Sequence, residues 1–190
     1  MRRILTIPIA VLGIVGMAFG TIINVPGGYS TIQAGINAAT DGDTVLIADG
    51  TYQGAGNKNL DFGGREIVVM SSGGADNCII DCQMSGRGFY FHSGETNAAK
   101  LRGIAIYNGS NAYSGGINIT NSSPTIEYCV IKGCVSQNSY GGGIYVSHGN
   151  PEIINCTLCL NAAKYGGGMY ATASNFHMNS CIVATNSASG

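Results

Sequence analysis

The sequence predicts an all-β chain wound as a parallel β-solenoid, on three observations. Short motifs recur about every 25 residues. Each recurring unit is a run of four to seven residues with apolar side chains at alternate positions. Glycine, asparagine and serine punctuate the runs at matching places. Alternation at period two marks strands, and runs this short exclude helices. A leucine-rich solenoid needs an L-x-x-L-x-L ladder, which is missing.

The N-terminus comes first. Arg2 and Arg3 precede an almost wholly apolar Ile4 to Phe19, and Ala18-Phe19-Gly20 offers small residues at a cleavage spacing. Residues 1–20 read as a signal peptide, which implies a secreted or cell-surface chain. The apolar run falls short of the ~20 residues a spanning helix needs, and Pro8 interrupts it, so no membrane partner is expected after cleavage.

Residues 21–43 read as an N-terminal cap. Ser30-Thr31-Ile32-Gln33 has the form of a capping box, with Ser30 at N-cap and Gln33 at N3, ahead of a short helix from Thr31 to about Ala39. A solenoid end exposes unpaired strand edge, and a helix there would cover it. Thr44 to Ala48, with the turn Asp49-Gly50, reads as the first strand and corner.

Residues 44–190 read as the coils, five to six in number. Tyr113-Ser114-Gly115-Gly116-Ile117-Asn118, Tyr140-Gly141-Gly142-Gly143-Ile144-Tyr145 and Tyr165-Gly166-Gly167-Gly168-Met169-Tyr170 align at spacings of 27 and 25. Cys129, Cys156 and Cys181 repeat at the same spacings, and Ile104 holds the same position one coil earlier. They are expected to stack inside the solenoid at about the 4.8 Å strand spacing. In-register side chains keep Cβ atoms further apart than a bridge prefers, so free thiols are expected over disulfides. The glycine pairs are expected to turn corners. Asn161 and Asn186 are expected to turn another in the left-handed conformation. The last readable strand, His177 to Val183, would leave an open edge, so further coils or an anchor are expected beyond Gly190.

Composition narrows the function classes. Charged residues make up only 10% of the chain, against a usual ~25%. At 45% hydrophobic, the chain is not disordered. Without Arg2 and Arg3, seven basic residues face ten acidic ones, so nothing favours nucleic acid. Few acid–base groups remain, which tilts the reading away from an enzyme.

Val25-Pro26-Gly27-Gly28-Tyr29-Ser30-Thr31-Ile32-Gln33, followed by Gly42-Asp43-Thr44-Val45-Leu46-Ile47-Ala48-Asp49-Gly50-Thr51-Tyr52, resembles the opening of the pectin lyase-like superfamily. The Gly-Gly-Gly-Ile-Tyr and Asn-Cys-Thr-Leu units resemble its later repeats. The resemblance implies a right-handed parallel β-helix. It implies no single activity, because that fold hosts lyases, hydrolases, esterases and proteins without catalysis. Motifs of polygalacturonases, pectate lyases and pectin methylesterases are missing; Ser147-His148-Gly149 is a partial echo of one.

The function expected is a secreted scaffold or carbohydrate-contacting module without catalysis. The alternatives are a polyuronide lyase and an adhesin segment. Tyr113, Tyr140 and Tyr165, stacked over three coils, would offer sugar rings an aromatic strip. A lyase would draw on Asp81, Arg87 and His92, with Ca²⁺ held by Asp81 and Glu95; otherwise no cofactor is expected. The partner expected is a polysaccharide.

Overall fold

The computed structural model describes residues 20–137 and 139–190. The segment read as a signal peptide lies, Gly20 apart, outside them. Among the described residues, no helix is long and apolar enough to cross a membrane.

The chain winds into a parallel β-solenoid of four sheets, and every strand pairs in parallel with its equivalents in neighbouring coils. A seven-stranded sheet holds Ile22–Val25, Thr44–Ile47, Val68–Ser71, Lys100–Arg102, Thr125–Glu127, Glu152–Ile154 and His177–Asn179. A six-stranded sheet runs from Gly50–Tyr52 to Ile182–Ala184, and a four-stranded one from Ser110–Asn111 to Ser187–Ala188. Each coil returns through a five-stranded sheet of Leu60–Asp61, Phe89–Phe91, Ile117–Thr120, Ile144–Ser147 and Met169–Thr172.

The coils number about seven, not five or six. Ile22–Val25 lies in the segment whose sequence reads as cap, yet it pairs in register with Thr44–Ile47 and forms the first rung. Ile23 and Val25 point inward and are buried, as alternation on a one-sided core requires.

The helix spans Ile32–Ala38 and buries Ile32, Gly35 and Ile36. Its N-cap is Thr31, not Ser30: the Thr31 hydroxyl accepts from the Ala34 N–H at 3.2 Å. Gln33 does not close a capping box. Its amide instead donates to the Asp61 carbonyl and accepts from the Asp61 N–H, at 2.9 and 2.8 Å, pinning the helix to the next coil.

Inside, like stacks on like. The register places Ile23, Val45, Val69, Leu101, Ile126, Ile153 and Met178 in one column. Ile80, Ile106, Ile131 and Leu158 form a second, which the exposed Val183 continues in register. Burial of each such side chain contributes ~1.5–3 kcal/mol. Phe62, Phe89 and Phe91 fill the wider part of the core, with Phe62 4.6 Å from Phe91 between ring centres.

The corners differ from expectation. Asn161 is not left-handed; the residue before it is. Leu160, with Asn108, Gly133 and Thr185 in the equivalent places, has φ of 54–65°. Asn161 itself is buried and turns inward. It accepts from the Cys134 N–H at 2.9 Å and donates to the Ile131 carbonyl at 3.0 Å, while its own N–H reaches Asn186 at 2.9 Å. The side chains thus form an amide ladder that satisfies backbone groups a corner leaves unpaired. In the glycine segments, Ser114, Gly141 and Gly166 carry the positive φ. The glycines after them are required by proximity, since a methyl on Gly116 would meet the Gly143 carbonyl.

All seven cysteines are free. Cys129 and Cys156 are buried one coil apart, the Cys129 N–H meeting the Cys156 sulfur at 3.4 Å. Burial pushes the thiols of Cys78, Cys82 and Cys134 up to about 12, and that of Cys129 upward too. Attack on a thiol reagent needs the thiolate and access. In the native protein only the half-buried Cys159 and Cys181 are therefore expected to react with a disulfide reagent. The other five should react after denaturation. Native reaction of more than two thiols per chain would contradict this packing.

Glu95 ties three coils together. Only 1% exposed, its carboxylate accepts from the Gly64 N–H, the Ser93 N–H and the Ser122 hydroxyl, at 2.9, 2.9 and 2.7 Å. Burial works against its ionisation. The hydrogen bonds from Ser122, Ser93 and Gly64 together outweigh burial and hold the carboxyl below the usual range. A carboxyl lowered on folding stabilises fully above its unfolded value, about 4.3, and loses that contribution as pH falls through the folded value. Glu95→Gln is expected to cost about 1–3 kcal/mol at neutral pH. It should also flatten the fall in Tm on acidification below about pH 4.3. An unchanged acid limb in thermal melts of the variant would rule out this role.

Candidate functional site

The five-stranded sheet carries the candidate site on its outer face. Alternation sends Asp61, Tyr90, Asn118, Tyr145 and Tyr170 outward in one column, each in register with the next. Thr120, Ser147 and Thr172 form the neighbouring column. The glycine corners bring Tyr113, Tyr140 and Tyr165 up beside them.

The expected strip of Tyr113, Tyr140 and Tyr165 is present only in part. Tyr140 and Tyr165 stack with ring centres 5.3 Å apart and 22° between planes. Tyr113 instead packs on Tyr145, at 5.7 Å. Tyr145 and Tyr170 were not singled out in the sequence, yet they complete the cluster: Tyr140 lies 4.4 Å from Tyr170, and Tyr145 6.2 Å from it. Their signal was present, because they close the second and third glycine segments. Five tyrosines thus hold one another across three coils.

From Tyr90 onward the column of rings is interrupted at one coil. Where Tyr90, Tyr145 and Tyr170 carry rings, the intervening coil carries Asn118. The missing ring leaves a cavity of about 250 Å³ lined by Tyr90, Tyr113, Asn118, Thr120, Tyr145 and Ser147. Aromatic rings wall it, and amide and hydroxyl groups floor it. The Thr120 hydroxyl donates to Asn118 Oδ1 at 3.0 Å and so fixes the amide. Among the described residues Asn118 Nδ2 has one long contact, to the Tyr113 carbonyl at 3.5 Å, which leaves a proton to donate. Two larger hollows lack this mixture. One, of about 530 Å³, runs along the small residues of the four-stranded sheet; the other, of about 380 Å³, lies between Val25, Pro26, Leu46 and Ala48.

The other predicted residues divide. Arg87 and His92 meet at Tyr90: the guanidinium carbon sits 4.7 Å from the ring centre, and the imidazole stacks at 4.0 Å. His92 Nε2 lies 3.2 Å from Asp61 Oδ2, and Arg87 donates to the Asn111 side chain at 2.8 Å. Asp81 does not join them. It stands on the six-stranded sheet and accepts from Gln53, Gln83 and Asn108 at 2.8–3.0 Å. Burial opposes its ionisation, but those bonds and the Lys58 charge outweigh burial and lower its pKa. Glu95 shares no partner with Asp81, and its oxygens are occupied by Gly64, Ser93 and Ser122. The structure therefore does not unite Asp81 and Glu95 as a calcium site. Among the described residues, no three His, Cys, Asp or Glu side chains gather as metal ligands.

No family model, curated protein or solved structure matches the chain.

Proposed function

We propose that the chain is an extracellular carbohydrate-contacting solenoid whose slot at Asn118 holds one sugar ring. The observation that carries this reading is the slot itself, with tyrosine rings on its sides and amide and hydroxyl groups at its floor. A sugar ring is amphiphilic in the same sense: its C–H faces suit aromatic walls, and its hydroxyls need donors and acceptors. The volume suits one ring, since drug-sized ligands occupy ~300–1,000 Å³. The finer kinship, with the pectin lyase-like superfamily, belongs to the same proposal. Its support is the segment Val25 to Tyr52 together with coils spaced about 25 residues apart.

Filling the slot tests this reading. Asn118→Tyr supplies the ring that Tyr145 and Tyr170 carry in register, so the fold accommodates it. Retention on immobilised polysaccharides, screened over neutral and acidic polymers, is expected to fall at least tenfold in Asn118→Tyr and in Tyr145→Ala, about 1.4 kcal/mol. Tyr165→Ala, outside the slot, should retain wild-type affinity. Equal retention of all three variants, or none by the wild type, would remove the slot and leave the adhesin reading. Divalent-dependent release of unsaturated uronides by the wild type would instead favour the lyase alternative, through Arg87 and His92.

A further inference from the structure

Ser147 lines the slot and is engaged in a way that sugar binding does not require. Its Oγ lies 2.9 Å from Nδ1 of His148, the next residue in the chain. Successive residues of a strand ordinarily face opposite ways. Here His148 leaves the strand in the left-handed conformation, φ 53°, and that turn folds its ring back onto the Ser147 hydroxyl. The Ser147 side chain has no other hydrogen bond among the described residues. A serine hydroxyl within hydrogen-bond reach of an imidazole nitrogen is the arrangement that activates serine as a nucleophile. Across the slot floor, the Asn118 amide is fixed by Thr120, whose strand position pairs with Ser147, and it keeps an N–H to donate.

We propose that this serine–histidine pair makes the slot an acyl-transfer site that hydrolyses O-acyl esters carried by the bound sugar ring. The proposal goes beyond binding and rests on the carbohydrate reading only for its substrate. Ser147 Oγ forms a bond to the ester carbonyl carbon as its proton passes to His148 Nδ1. The Asn118 N–H donates to the carbonyl oxygen as negative charge develops there. The carbon–oxygen bond to the sugar then breaks, and the sugar oxygen takes the proton from His148. Water attacks the acyl-serine, giving its proton to His148, and Ser147 Oγ recovers a proton as the carboxylic acid departs. The sum is ester plus water giving acid plus alcohol, and no further reactant is needed.

The experiment uses the full chain with two acyl donors, p-nitrophenyl acetate and a peracetylated methyl glucoside, and a fluorophosphonate probe read by peptide mass spectrometry. Acetate release is expected from both donors, with the probe on Ser147. Ser147→Ala and His148→Asn should each reduce turnover ~10²–10⁴-fold, the usual contribution of a positioned base. Both variants should melt like the wild type, since neither orphans another group. Asn118→Asp, which keeps the shape but loses the donor, should slow turnover ~10²–10³-fold. Equal turnover by wild type and Ser147→Ala, or no labelling of Ser147 in folded protein, overturns the proposal. Ser147-dependent cleavage of p-nitrophenyl acetate without polysaccharide retention would support the acyl-transfer chemistry while removing the sugar reading. Retention without any cleavage would do the reverse.

Discussion

Everything in this molecule depends on parallel, in-register pairing from coil to coil. Each coil is held at the strand spacing of about 4.8 Å from the next, so a residue meets its own equivalents above and below. One choice of side chain is therefore repeated as a column. Apolar columns such as Val45–Val69–Leu101–Ile126–Ile153 become the core, and outward columns become the surface. The same rule governs polar groups. The amides of Asn161 and Asn186 and the sulfurs of Cys129 and Cys156 are placed where each can serve a backbone group of the adjoining coil. Length varies only where it does not break this register. The 27-residue coil carries its extra residues between Val135–Ser136 and Ile144–Ser147, while its strands still pair residue for residue.

What the sequence revealed follows from that periodicity. The alternating runs identified the strands, and the 25- and 27-residue spacings put Ile104, Cys129, Cys156 and Cys181 in one column. The misreadings arose where the period is silent. Asn161 was expected to bend the chain because asparagine tolerates positive φ, yet Leu160 bends it and Asn161 turns inward to serve Cys134 and Ile131. The rule of residue preference lost to the need of buried backbone for partners. Ile22–Val25 precedes the first visible repeat, so its membership of the sheet could be seen only once pairing was known.

The site was legible to a lesser degree. The sixth residue of each glycine segment reads Asn118, Tyr145, Tyr170, so the break in the ring column is written in the alignment. The uninterrupted repeat of Tyr113, Tyr140 and Tyr165 masks it. Tyr90 could not be found that way, since its segment lacks the glycine pattern. Glu95 is a different case. Its partners Gly64 and Ser122 lie 31 and 27 residues away, and no motif links a carboxylate to a glycine N–H and a serine hydroxyl at such distances. Charge alone suggested a calcium ligand, whereas burial and three donors make it a brace.

The single Asn118 in a column of rings has a consequence for molecules of this kind. In a periodic structure, uniform columns confer rigidity and offer a ligand nothing to distinguish one level from another. A cavity appears where one member of a column is replaced by something smaller. Such a site can arise by one substitution in one copy of a duplicated unit, because the copies on either side preserve the scaffold. Its address is a fault in the repeat, and adding further copies would lengthen the array without adding another binding place.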